Sequence, residues 1–225
     1  MSPETRGRHP QGGALVCFAV KEEARLFKPG SGGDTPVAIL ITGMGRRNAD
    51  RALRRALEIR KPSLVLSCGF AGGLDPELIS GAVVFDAPPD SRLERDLLSA
   101  GARKVRFHSA ERVAATAAEK RSLREATGAD AVEMESRAIG AVCREHAIPF
   151  AIVRVILDTA EEDLPLDFNL LMTPEQRLDY GRLARALLKS PGKAAGLVRL
   201  QKQSKAAAQA LGEVLGRILP PRPQP

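Results

Sequence analysis

The chain has 225 residues, of which 44% are hydrophobic and 27% are charged, and its formal net charge is +7. This length and composition are typical of one globular domain with a single sizeable core. They argue against a membrane-spanning protein, because no apolar run reaches the roughly 20 residues that a spanning helix needs. They also argue against export, because the polar start MSPETRGRHPQGG contains no apolar signal-peptide core. We therefore expect a cytoplasmic protein.

The few cysteines and histidines give no sign of a disulfide framework or of a metal site. The cysteines have neither CxxC spacing nor an even count, and each lies in an apolar run, which is typical of reduced core thiols. The histidines form no HxxxH or HxH cluster. We therefore expect no metal and no cofactor. These residues are Cys17, Cys68, Cys143, His9, His108 and His146.

Five continuous apolar runs predict strands that are buried on both faces. Helix-like segments lie between them, and strands that alternate with helices indicate a parallel or mixed sheet covered on both sides. The sequence therefore predicts an α/β protein, with three α/β/α layers around a mixed, mostly parallel central sheet. The predicted strands are 14–20, 37–43, 62–69, 81–86 and 149–158, and the predicted helices are 48–61, 109–127 and 136–147.

Beyond Leu171 the sequence becomes helical and basic, with two or three amphipathic helices. Residues 176–225 hold ten Lys and Arg side chains against two acids, so this segment alone carries about +8. Such a surface can be a solvated face, or it can bind nucleic acid or an anionic membrane. Nucleic acid is the weakest alternative, because Tyr180 is the only tyrosine in the segment and no stacking platform accompanies the charge.

Polar and glycine-rich residues follow several of the predicted strands. Glu23 follows the first strand, GMG (43–45) the second, GFAGG (69–73) the third, and Asp158 the last. Each of these could be an ordinary turn, since glycine and acids are common in loops. Because the carboxyl ends of parallel strands meet at one edge of a sheet, four such features predict a ligand site at that edge.

Six motifs together resemble those of the nucleoside phosphorylase and nucleosidase superfamily, and most closely its methylthioadenosine/S-adenosylhomocysteine nucleosidase branch. The resemblance covers roughly residues 14 to 160, and its most specific part is VEME followed about twenty residues later by a strand ending in Asp. It implies the fold of that family and the cleavage of the N-glycosidic bond of a purine, adenosine-type nucleoside. In chain order the motifs are KEE, ITGMGRRNA, CGFAGGL, GAVVFD, AVEMES and VRVILD.

The resemblance implies two catalytic carboxyl groups. Asp158 matches the acid that protonates N7 of the departing purine, and a strand end in a closed pocket would supply the desolvation that keeps a carboxyl protonated. The alternative is a helix N-cap in the segment DTAEED. Glu23 matches the general base that deprotonates the attacking water, and its alternative is a surface KEE run.

The AVEMES motif matches the ribose site of the family. Glu135 matches the carboxylate that accepts hydrogen bonds from the ribose 2′ and 3′ hydroxyl groups, and Met134 matches the residue that packs beneath the ribose. In an extended stretch Glu133 points to the same side as Glu135 and could assist it. The alternative for Glu133 is a favourable charge at a helix N-terminus.

The purine is expected to lie against the glycine-rich loop. Ala71 and Gly72 match base-pocket contacts of the family. A gapless count back from VEME puts Arg112 and Val113 where the family stacks an aromatic side chain on the base and reads the base edge with backbone. Arg112 could stack through its planar guanidinium, and its alternative is a solvent-facing helix residue.

Met44, Gly45 and Phe70 are expected on the 5′ side of the ribose and around the water or phosphate. Phosphorylases of the superfamily hold phosphate with an arginine and a hydroxyl residue, whose places here are taken by Ser67 and Phe70. A phosphate dianion needs charge-assisted donors, so the sequence favours hydrolysis over phosphorolysis. Arg46 and Arg47 could still supply positive charge for a phosphate, so phosphorolysis stays open as an alternative.

The chain departs from the family by two shortened segments, after Glu23 and after GAVVFD. These segments usually build part of the pocket wall and of the dimer interface, so a homodimer is left open and a larger 5′ substituent could fit. In this respect the chain resembles the hopanoid-associated phosphorylase-like subgroup, which removes a purine from an adenosylhopane. A cationic tail on the inner membrane surface would then bring the site to a lipid substrate.

The sequence therefore predicts a purine nucleosidase whose substrate is a small-molecule nucleoside, with phosphorolysis and a catalytically silent nucleoside-binding module as alternatives. The predicted organisation is a flexible N-terminus (1–13), a catalytic domain (14–171), a basic helical segment packed on it (172–219) and a disordered tail (220–225).

Overall fold

The computed structural model describes residues 12–29, 36–173, 179–189 and 192–219. Residues 1–11 of the predicted flexible N-terminus and the whole predicted tail at 220–225 lie outside the described residues.

Within the described residues, eight strands form one mixed sheet. The spatial order is β2-β1-β3-β8-β4-β5, while β7 pairs with β3 and β6 pairs with β7. The central strands β2, β1, β3 and β8 are parallel, whereas β4 and β7 run antiparallel to their partners β8 and β3. The predicted mixed, mostly parallel sheet is confirmed. The strands are β1 Ala14–Phe18, β2 Val37–Ile41, β3 Leu64–Gly73, β4 Val83–Asp86, β5 Arg103–Lys104, β6 Phe107–Ser109, β7 Ala131–Glu133 and β8 Phe150–Asp158.

Helices cover both faces of this sheet, as the three-layer prediction requires. On one face, α2 and α5 bury residues such as Leu53 and Ile139 against β1 and β3. On the other face, α1, α3 and α8 bury residues such as Leu97 and Leu211 against β8. The helices are α1 Lys21–Ala24, α2 Arg46–Ile59, α3 Arg92–Ser99, α4 Ala117–Thr127, α5 Ser136–Glu145, α6 Phe168–Leu171, α7 Tyr180–Lys189 and α8 Lys193–Ile218.

The helix predicted at 109–127 begins eight residues later, at Ala117. Thr116 caps it, because its side chain accepts from the N–H of Glu119 while the Glu119 carboxylate accepts from the N–H of Thr116. Residues 107–109 instead form β6, which pairs with β7. Arg112 therefore lies in a loop, and its alternative as a helix residue is wrong.

The basic C-terminal segment contributes to the core through the second half of α8. Its small and branched side chains pack on the sheet, while Lys193 and most residues near it are exposed. The longest described helix is therefore half core and half surface. Among the residues that the structure describes, no helix is long and apolar enough to cross a membrane. The buried residues of α8 are Ala207, Ala208, Leu211, Val214, Leu215 and Ile218.

The parallel strands β1, β3 and β8 bring their carboxyl ends to one edge of the sheet. In the register of β3 and β8, Gly72 pairs with Asp158. On the other side of β3, Gly72 pairs with Val132 of β7, so the AVEMES motif starts at the same edge. This edge is where the sequence predicted a ligand site.

Candidate active site

A cavity of about 450 Å³ opens at the carboxyl edge of the sheet. Of the residues predicted for the site, Gly45 is the one that does not line it, and its backbone N–H instead donates to Glu135 (2.7 Å). The individual roles remain predictions, but these residues share one cavity. The predicted residues that line it are Glu23, Met44, Phe70, Ala71, Gly72, Arg112, Val113, Glu133, Met134, Glu135 and Asp158.

Glu23 is buried at the first turn of α1, where backbone N–H groups surround its carboxylate. Ala19 and Val20 donate to Oε2 (2.9 and 3.2 Å), and Phe70 donates to Oε1 (2.9 Å). Burial raises the pKa of Glu23, although the Arg154 guanidinium and these N–H groups oppose the rise. A carboxylate with a raised pKa is a stronger base towards water near neutral pH.

The glycine-rich loop at the end of β3 begins with Gly69, a position that leaves no room for a side chain. Its φ is +146°, and a Cβ there would lie 2.4 Å from Oε1 of Glu23 and 2.5 Å from Nη1 of Arg154. Any side chain at this position would therefore separate the carboxylate from the guanidinium.

Arg154 is a central residue of the site that the sequence analysis did not select. It lies in the middle of β8 and is 1% exposed. Its Nη2 donates to Glu133 (2.7 Å), Ser67 (3.1 Å) and Glu135 (3.3 Å), and its Nη1 donates to the carbonyl of Cys68 (3.2 Å). The signal was readable, because a charged residue inside an apolar strand needs partners.

The carboxyl groups buried around Arg154 outnumber this cation. Three carboxyl groups, those of Glu23, Glu133 and Glu135, surround the guanidinium of Arg154. Burial raises the pKa of Glu135 to about 7, with Arg154 opposing the rise and the other two carboxylates adding to it. Those of the three groups that are ionised would stabilise a cation that develops in the cavity.

The two acids of AVEMES have different surroundings. The Glu133 side chain has no exposed area and accepts from the N–H groups of Glu135 and Ser136 (2.9 and 2.7 Å) and from the Ser136 hydroxyl (2.6 Å). Glu133 therefore holds the start of α5, and its geometry favours the helix-terminus alternative over contact with a ribose.

Asp158 ends β8 with its carboxyl group beside Gly72, where a Cβ would lie 3.4 Å from Oδ2. Burial raises the pKa of this carboxyl group, and an ion pair with Lys120 of α4 opposes the rise. No helix follows within residues 159–167, which form a turn and a loop, so the helix-cap alternative is wrong. Lys120 was not selected from the sequence, because a lysine in an amphipathic helix is usually exposed.

The wall opposite the sheet is built by α8 and by the segment that follows β8. These residues were also missed, since the sequence does not show which face of a distant helix reaches the site. The residues of this wall are Leu164, Phe168, Met172, Leu200, Gln201, Ser204 and Lys205, and Arg25 of the turn after α1 also lines the cavity.

Within the parts of the chain that the structure describes, no group of three or more His, Cys, Asp or Glu side chains is arranged to hold a metal ion.

Comparison with known proteins defines the class of protein. The chain is 27% identical over 170 residues to the 5′-methylthioadenosine/S-adenosylhomocysteine nucleosidase of Glaesserella parasuis, which is 60% of this chain and 74% of that protein. The same enzyme of Haemophilus ducreyi is 28% identical over 169 residues, with 60% and 73% covered. The predicted class, an enzyme of the nucleosidase and nucleoside phosphorylase kind, is confirmed.

The family model described as the phosphorylase superfamily matches residues 16–85 and 81–189. The chain therefore belongs to the phosphorylase superfamily, and the resemblance inferred from its motifs is confirmed at this level.

Solved structures share the fold at low sequence identity. The Helicobacter pylori 5′-methylthioadenosine/S-adenosylhomocysteine nucleosidase, complexed with a pyrrolidinol-containing ligand, has a TM-score of 0.69 at 14% identity, with 94% of this chain and 99% of that chain covered. The futalosine hydrolase of the same organism has a TM-score of 0.62 at 14% identity, with 91% and 97% covered.

Proposed function

We propose that the protein hydrolyses the N-glycosidic bond of a purine nucleoside of the adenosine type. The observation that carries the proposal is that one cavity is lined by Glu23, Glu135 and Asp158, which the family motifs predict as base, ribose clamp and acid. The relatives named as nucleosidases support the same reaction.

In the proposed reaction, Glu135 accepts hydrogen bonds from the ribose hydroxyl groups and fixes the sugar. The bond between C1′ and N9 breaks, its electron pair moves to the purine, and Asp158 gives a proton to N7. The buried carboxylates stabilise the ribosyl cation that develops. Water then attacks C1′, and Glu23 accepts the proton that the water loses.

Water is favoured over phosphate as the nucleophile. The Arg154 guanidinium is already paired with Glu133 and Glu135, so a phosphate dianion would have to displace or face a carboxylate. Arg46 forms an exposed ion pair with Glu111 outside the cavity. The expected sugar product is therefore free ribose even when phosphate is supplied, and ribose 1-phosphate would identify a phosphorylase instead.

The change Asp158→Asn tests the proposal. It removes the proton donor without changing the shape of the side chain, and we expect adenine release to fall by at least about 100-fold. Asp86→Asn is the matched control, because Asp86 is exposed at the end of β4, which runs antiparallel to β8 and ends at the opposite edge. Undiminished release by Asp158→Asn would refute the assignment, and tight ligand binding without product in the wild type would favour a silent binding module.

The cavity also supports a bulky, apolar 5′ substituent, such as the lipid part of an adenosylhopane. Its apolar walls include Leu157, Leu164, Phe168, Met172 and Leu200. Burying apolar surface against these walls would add about 25 cal/mol per Å² to substrate binding. We expect kcat/KM to rise from adenosine to methylthioadenosine to an adenosylated lipid. Adenosine as the best of the three substrates would contradict the lipid proposal.

A lipid substrate requires access to a membrane surface. Exposed cations lie on α8, which lines the cavity, and on α7. Arg182 and Arg185 lie on α7, and Lys193, Arg199 and Lys202 lie on α8. We propose that this basic face binds anionic lipid headgroups, since each such cation adds roughly 1 kcal/mol near a charged surface.

A homodimer remains a prediction. The edge strand β2 leaves Ile39 and Ile41 more than one third exposed, which is an apolar surface that a second copy could cover. The mass in solution, measured by light scattering, tests it.

A further inference from the structure

Lys120 is buried without any exposed side-chain area on the face of α4 that points to the site. Its Nζ donates to the carbonyl oxygens of Thr159 (2.6 Å) and Glu162 (2.7 Å), and it forms an ion pair with Oδ2 of Asp158. These three partners match the three N–H donors of an ammonium group. Every N–H donor of this buried ammonium group therefore has a partner. Such pairing is required, because an unpaired lysine would not remain buried and charged.

The ion pair leaves the two oxygens of Asp158 in different surroundings. Oδ2 is buried against Lys120 and Gly72, so Oδ1 is the oxygen available to a ligand in the cavity. The charged groups that act on this carboxyl group, among the described residues, are Lys120 from α4 and Glu162 from the loop. The neighbouring strands β3 and β7 contribute Gly72 and Val132, which carry no charge.

We propose, on the basis of the proposed function, that Lys120 is a positioning residue for the acid Asp158. Its ammonium fixes Oδ2, so the proton is carried on Oδ1 and passes from there to N7 of the purine as the C1′–N9 bond breaks. The carboxylate that remains is then paired with a cation already in place, which favours proton transfer without any rearrangement. Through the carbonyls of Thr159 and Glu162, the same ammonium joins the acid to the loop that contributes Leu164 to the cavity wall.

The proposal predicts the pH dependence of a neutral variant. An adjacent cation favours the ionised form of a carboxyl group, so Lys120→Met raises the pH at which Asp158 loses its proton. In the plot of kcat against pH, the fall on the alkaline side (the alkaline limb) should move to higher pH by about one unit or more. An opposite charge nearby lowers a carboxyl pKa by about 1 to 3 units, and the variant lacks that charge. We expect kcat to fall about 10-fold or more, with a smaller change in KM. Lys120→Arg keeps the charge and should keep the limb near its wild-type position.

Arg121→Met is the matched control, because it removes a cation from the next position of α4 at an exposed site. It should leave both rate and limb unchanged. A Lys120→Met profile that is lowered equally at every pH would overturn the proposal and leave Lys120 a purely structural role, as would an unchanged profile. A wild-type protein that releases no adenine from any substrate would instead overturn the proposed function.

A second measurement needs neither activity nor the methionine variant. The ¹⁵N resonance of the Lys120 ammonium group, assigned with Lys120→Arg, should shift when Asp158 titrates in the wild type, and that shift should be lost in Asp158→Asn. A resonance that behaves identically in both proteins would contradict the proposal even if Lys120→Met failed to fold.

Discussion

Arg154 sets the balance of buried charge at the site, because its guanidinium lies among the carboxyl groups of Glu23, Glu133 and Glu135. Burying three acids would be unfavourable without it, and two of them have a raised pKa even in its presence. The acids proposed for catalysis were selected from motifs, and Arg154 could have been predicted from its place in an apolar strand. Lys120 could not, because its burial depends on how α4 docks.

Removing the guanidinium of Arg154 should therefore lower the stability of the protein. Arg154→Met leaves buried carboxylates without their cation, and we expect the free energy of unfolding to fall by about 3 to 5 kcal/mol. Urea unfolding at pH 7.5 measures this, with the exposed Arg185→Met on α7 as the control. A loss below about 1 kcal/mol would mean that the carboxyl groups are protonated and need no partner.

The raised pKa of Glu135 predicts that the stability of the protein depends on pH. Its folded pKa of about 7 lies above the ordinary value of 4.5, so the folded protein binds more protons than the unfolded chain between these values. This group therefore lowers the free energy of unfolding as pH rises from about 4.5 to about 7. Glu135→Gln lacks this loss, so its stability relative to the wild type should improve between pH 5 and pH 8, on the order of 2 kcal/mol. Urea unfolding at the two pH values tests this, and an equal difference at both would contradict it.

Adenine release by Glu135→Gln should also fall, because Gln is a weaker acceptor for the ribose hydroxyl groups.

At the scale of elements, the five strands β1 to β4 and β8 followed from apolar runs, whereas α3 and the short strands β5, β6 and β7 were not predicted. Helix starts depended on local capping. The start of α4 was predicted too early because Ala and Val at 113–118 continue a helical pattern. The capping pair Thr116 and Glu119 marked the true start in the sequence. The docking of α8 could not be predicted from the sequence. Its alanines and glycines indicate that another segment packs closely against this helix, but they do not show which segment.

Two glycines of α8 test this docking. A Cβ on Gly212 would lie 2.8 Å from the carbonyl oxygen of Leu26, whereas a Cβ on Gly216 would meet nothing within 4 Å. Gly212→Ala should destabilise the protein by about 1 to 3 kcal/mol, since the helix must shift. Gly216→Ala, one turn away, should stabilise it by roughly 0.5 to 1 kcal/mol through helix propensity. Thermal and urea unfolding measure both changes, and stabilisation by Gly212→Ala would show that α8 does not pack closely on the turn after α1.

At the scale of the whole molecule, exposed cations form the basic face of α7 and α8, and α8 also contributes to the cavity wall. We expect the full chain to sediment with vesicles of anionic lipid at low salt, to remain in solution with neutral vesicles, and to be released by salt. Reversing two charges, Arg199→Glu with Lys202→Glu, should weaken this binding strongly.

The matched control reverses Arg51 and Arg55, which are exposed on α2 across the sheet from α8. It should reduce vesicle binding much less, because the long-range charge is changed equally but the docking face is intact. Equal losses in both pairs would indicate a non-specific attraction of a basic protein, and no retention by anionic vesicles would remove the physical support for a lipid substrate.

The sequence by itself determined the α/β class and five of the eight described strands, and it selected the acids Glu23, Glu135 and Asp158 as candidates, because buried strands and glycine-rich strand ends leave local patterns. Only the tertiary structure decided how these groups are charged. Their pKa values depend on burial and on Arg154 and Lys120, which reach them from elsewhere in the chain. It also decided that α8 lines the cavity, since contacts between distant segments arise from packing and not from local pattern.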